Sequence, residues 1–131
     1  MSTAQRLSQI FGIVFVVVGL AGFAIAGGSM DASMSAPKLL GLFPVNVVHN
    51  LVHLLFGVWG ILGARTFAGA KNYLFGAGVI YLVLAICGYL APNGFGLVPL
   101  GGADVGVHAL LGVVLLGAAL GTARGTATAT A

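Results

Sequence analysis

Three histidines and one aspartate, in a chain otherwise nearly free of titratable groups, stand at spacings that could do chemistry: His49, His53, Asp104 and His108. His49 with His53, and Asp104 with His108, are each four residues apart, so on a helix each pair projects from one face about one turn apart. Three imidazoles and a carboxylate form a donor set for zinc, copper, iron or nickel ahead of calcium or magnesium. The run His49-Asn50-Leu51-Val52-His53 lacks the Glu of the H-E-x-x-H protease helix, so hydrolysis is not implied. His53 and His108 alone could be the axial ligands of a haem, with Gly57 and Gly112 a turn later leaving space for a flat macrocycle. No C-x-x-C-H is present, so such a haem would be held non-covalently. The same imidazoles could relay protons. Against these stands a purely structural use, a hydrogen-bond network that also draws in Asn46 and Asn50.

The elements that must position these side chains are membrane spans. Of 131 residues 60% are apolar and only 5% charged, with a net charge of +3, where a soluble domain carries about 25% charged residues. Four apolar stretches, about 8–27, 45–64, 73–91 and 104–121, are each about as long as a bilayer is thick. The expected fold is all-α, an integral membrane four-helix bundle in one domain, 1–121, followed by a disordered tail at 122–131. Arg6, Arg65, Lys71 and Arg124 then share one side, with a tight connection around Arg65 to Asn72, and Lys38 is the lone base opposite. That asymmetry places both termini in the cytoplasm. Tyr73, beside Lys71, reads as an interface anchor, and Trp59, Tyr81 and Tyr89 as packing or interface residues. No basic cluster suggests nucleic acid. The single Cys87 allows neither an internal disulfide nor a dithiol relay, and no Ser/His/Asp set or phosphate-binding loop is present.

Sliding the chain by 55 residues lays Gly41-Leu42-Phe43-Pro44 on Gly96-Leu97-Val98-Pro99, His53 on His108, and Gly57 on Gly112. The bundle therefore reads as two tandem helical hairpins related by a pseudo-two-fold axis along the membrane normal, the second and fourth spans being counterparts. His49 then corresponds to Asp104. The 22 glycines predict close backbone packing, with Gly60-x-x-x-Ala64 and Gly117-x-x-x-Gly121 as small-residue pairs.

The segment Leu40-Gly41-Leu42-Phe43-Pro44-Val45-Asn46-Val47-Val48-His49-Asn50-Leu51-Val52-His53-Leu54-Leu55-Phe56-Gly57 resembles a family of small four-span bacterial membrane proteins catalogued as domain of unknown function 4383. Ala103-Asp104 with His108 and Gly112, and Gly78-Val79-Ile80-Tyr81-Leu82, are similar to it as well. The resemblance implies the four-span fold and the weight of the histidine motif, and names no reaction. The family's fourth helix tends to begin Asn-x-Ala-Asp-Asn, whereas this chain has Gly101-Gly102-Ala103-Asp104-Val105 and so lacks both asparagines. Two functions follow as expectations. The first is a non-catalytic structural or accessory subunit of a larger membrane assembly or homo-oligomer. The second is a metal- or haem-binding redox or sensor protein using His49, His53, Asp104 and His108.

Overall fold

A computed structural model describes residues 1–124; most of the expected tail at 122–131 lies outside the described residues. The chain is an all-α four-helix bundle: α1 Thr3–Ala26, α2 Val47–Gly63, α3 Phe67–Leu90 and α4 Ala103–Gly121. By length and composition α1, α3 and α4 can each cross a membrane. α2 has 17 residues, about 26 Å at 1.5 Å per residue, just short of a hydrocarbon core about 30 Å thick.

Helix starts follow capping more than hydropathy. Ser2 and Gln5 form a capping box that starts α1 ahead of its apolar run. The Thr66 hydroxyl accepts from the Gly69 N–H at 2.9 Å and starts α3 at Phe67. The connection expected around Arg65 to Asn72 is thus only a few residues long, and Lys71 lies inside a helix. Its ammonium donates to the carbonyls of Ala119 and Thr122, capping the C-terminal end of α4. The early start also corrects the expectation for Tyr73: it is fully buried in the core, with its ring edge-on to Trp59 at 5.2 Å. Between α1 and α2 the chain forms a short antiparallel hairpin, β1 Lys38–Leu39 on β2 Phe43–Pro44, in the register Lys38 to Pro44 and Leu39 to Phe43. Nearby, the Ser33 side chain and its N–H, 2.8 Å from the carboxylate, hold Asp31 below its usual carboxylate range.

Packing divides the bundle into two antiparallel pairs, α1 on α2 and α3 on α4, with α3 also touching α1 and α2. Each pair closes on glycine. A Cβ at Gly12 would lie 2.7 Å from the Ile61 nitrogen and 2.8 Å from the Gly57 carbonyl oxygen, so only a bare Cα allows this approach. Nearby, the Ser8 hydroxyl donates to Gly60 O at 2.7 Å.

Burial repeats along the chain with two registers. The buried positions of α1, namely Ala4, Ser8, Gly12, Phe15, Gly19 and Gly22, recur 66 residues later as the buried Ala70, Leu74, Gly78, Tyr81, Ala85 and Gly88 of α3. His49, His53, Gly57 and Gly60 recur 55 residues later as the buried Asp104, His108, Gly112 and Leu115. The loops follow the shorter register. Leu40 and Phe95 are the two non-glycine residues with positive φ among the described residues, at 53° and 59°, and both point large apolar side chains outward. The two registers differ by the stretch that the first loop adds ahead of its Gly-Leu-x-Pro turn.

Candidate functional site

The site begins with the cap of α2. Asn46 Oδ1 accepts from the His49 N–H at 2.9 Å, and Asn46 Nδ2 donates to Leu97 O at 2.9 Å. One buried side chain therefore starts α2 and holds the turn before α4 against it. His49 is in the first turn, with Nδ1 3.2 Å from Pro44 O and Nε2 3.0 Å from His53 Nε2. The two rings are nearly parallel, with centroids 4.9 Å apart. The consistent proton assignment has His49 Nδ1–H donating to Pro44 and His53 Nε2–H donating to His49, which leaves His53 Nδ1 a bare acceptor. That atom has no partner.

From the diagonal helix α4 come Asp104 in its first turn and His108 a turn later, both 3% exposed. Asp104 Oδ2 is 3.9 Å from His49 Nδ1, and the His108 ring lies 6.3 Å from that of His49. Asp104 Oδ2 and His108 Nδ1 are buried without a hydrogen-bond partner. His49, Asp104 and His108 each offer a ligand atom, all within 4.8 Å of one another. Donors about 2.0–2.2 Å from a tetrahedral ion stand roughly 3.5 Å apart, so these three reach bonding distance by an inward shift in which His49 also gives up its hydrogen bond to Pro44 or to His53. His53 stands one ring behind, acting on this trio through His49. Two imidazoles and one carboxylate leave at least one coordination position for something else.

The residues expected to act together are not all brought together. Asn50 turns toward α1, where it packs on Gly22, and its Nδ2 is unpartnered. Gly57 and Gly112, which the haem reading needs as free space, are filled by Val16 and Leu82. Phe15 and Tyr81 stack at 5.3 Å between the hairpins, and each also packs on a histidine, Phe15 on His53 at 5.6 Å and Tyr81 on His108 at 5.3 Å. A porphyrin between His53 and His108 would have to displace that stack. Reading the sequence at a 55-residue shift alone misses the aromatic pair, because Phe15 and Tyr81 are related by the 66-residue register. Beside the trio lies a cavity of about 250 Å³. Its polar wall is His49, His53, Asp104 and His108, and the rest is apolar, including Phe15 and the hairpin residues Leu39 and Phe43.

No curated protein and no solved structure matches the chain. The model of one family does match, over residues 5–121, which takes in α2, α3, α4, all but the first two residues of α1, and every residue of the site. The chain belongs to that family, described as a domain of unknown function (DUF4383).

Proposed function

We propose that this is a multi-pass protein of the bacterial cytoplasmic membrane, with both termini inside, whose His49, Asp104 and His108 bind one divalent transition-metal ion. Zinc and ferrous iron both accept two imidazoles and a carboxylate. The observation that carries the reading is the partnerless Asp104 Oδ2 and His108 Nδ1, both buried beside His49. In lipid a buried carboxylate without a partner is costly, and a cation at the centre of the trio satisfies Asp104 and His108 at once, with His49 exchanging one of its present hydrogen bonds for the ion. The test is elemental analysis of detergent-purified protein. Near one equivalent of zinc or iron per chain, lost in the Asp104→Asn, His108→Ala double variant, supports the site. Background metal in both proteins rejects it.

A second reading is favoured by Asn46, whose bond to Leu97 O already joins the two hairpins without an ion. In that reading the cluster is structural, and the protein serves as a non-catalytic accessory subunit of a larger membrane assembly or as a homo-oligomer. Gly106 and Gly117 on α4 have nothing packed over them, which leaves a face that a neighbouring helix could approach closely. Native gels of gently solubilised membranes test it: migration only as a free monomer counts against any such assembly.

A further inference from the structure

The cavity beside the trio reaches the apolar flank of the bundle. Its side walls are Val14 and Val18 on α1 and Val107 and Leu111 on α4, two helices that scarcely touch each other. Val14 is 46% exposed, so this wall forms part of the outer surface of the bundle, the surface that faces lipid in a membrane. The far wall carries hydrogen-bond acceptors without partners.

We propose that this cavity is a lateral binding site for a lipid with a hydroxylated aromatic head, the chemistry of a quinol. The ring lies against Phe15 and between the valines, a hydroxyl reaches Asp104 and His108, and the tail leaves between α1 and α4. Size, walls and polarity each narrow the choice. A cavity of about 150 Å³ holds benzene, so about 250 Å³ holds one substituted ring. The apolar walls exclude a phosphate headgroup, which would also face the Asp104 carboxylate. A fatty acid brings the same like-charge conflict. A plain hydrocarbon would leave Asp104 Oδ2 and His108 Nδ1 unsatisfied, whereas a hydroxyl donates to the carboxylate oxygen and can donate to or accept from the imidazole nitrogen. The inference goes beyond the metal reading and stands without it: with an ion in place the hydroxyl oxygen takes its free position, and without one the hydroxyl donates directly to Asp104 or His108.

The experiment is calorimetric titration of the detergent-solubilised full chain with 2-decylhydroquinone, using decylbenzene and decanoic acid as comparators. The expected result is saturable binding near one per chain, with both comparators weaker by about tenfold or more. Val14→Trp and Leu111→Trp, which fill the cavity from either side without replacing a polar group, lower hydroquinone binding by a similar factor while metal content and melting temperature hold. Equal binding of decylbenzene and the hydroquinone overturns the proposal, as does absence of saturable binding to wild-type protein with a normal melting transition. Each titration is repeated after chelation. Hydroquinone binding by a protein that takes up no metal supports the lateral site and rejects the metal reading. Stoichiometric metal without hydroquinone binding does the reverse.

Discussion

Asp104 is the one carboxylate among the buried imidazoles and has an oxygen without a partner. The histidines around it are not equivalent. His108 and His49 offer ligand atoms to the trio, whereas His53 contacts it only through the 3.0 Å bond to His49. Removing a group that orients a ligand costs about 10–100-fold in metal affinity, and removing a ligand costs more. Zinc titration against a competing chelator is therefore expected to rank the variants, with His53→Ala weakened by about 10–100-fold and His108→Ala weakened further. Equal losses would contradict the geometry.

At the level of helices, close approach depends on which glycines are covered. Gly12 is covered by the backbone of α2, while Gly117 has nothing within 4 Å. Gly12→Ala must push α1 from α2 and is expected to cost about 1–3 kcal/mol, the usual range for overpacking. Gly117→Ala meets no atom and gains helix propensity, so it is expected to be neutral or to stabilise by about 0.5–1 kcal/mol. Thermal unfolding in detergent checks both, and a larger loss at Gly117 than at Gly12 would mean that the helices pair differently. These substitutions leave the polar trio intact, so any loss of metal in Gly12→Ala would report coupling between hairpin packing and the site.

Across the whole molecule, the antiparallel order puts Arg6, Arg65, Lys71 and Arg124 at one end and Lys38 with the hairpin at the other. α2 is the short helix, so topology turns on whether it crosses. In a Cys87→Ser background, Lys38→Cys is expected to react with a membrane-impermeant maleimide on intact cells, and Arg65→Cys only after permeabilisation. Labelling of both from outside would place the two ends of α2 on one side and remove the four-span topology. The same end-to-end order places the cluster at the hairpin end of the bundle, beside Pro44.

Hydropathy along the chain was sufficient to locate four helices, because a segment surrounded by lipid must be apolar on its own and must satisfy its own backbone. The i, i+4 spacings were equally local, and they picked out His49, His53, Asp104 and His108. Helix starts at Ser2 and Thr66 were less legible, since capping side chains compete with hydropathy and left Tyr73 read as an interface anchor when it belongs in the core. Partnership was not legible at all. Spacing draws Asn50 into one network with Asn46 and the histidines, but Asn50 turns to Gly22 of α1 while Asp104 and His108 arrive from a diagonal helix. Whether a glycine is space or contact is likewise decided by what another helix places opposite it, as Val16 does at Gly57 and Leu82 at Gly112. Those distances depend on how two hairpins lean together, a sum of many weak contacts between residues far apart in the chain, and that sum exists only in the folded bundle.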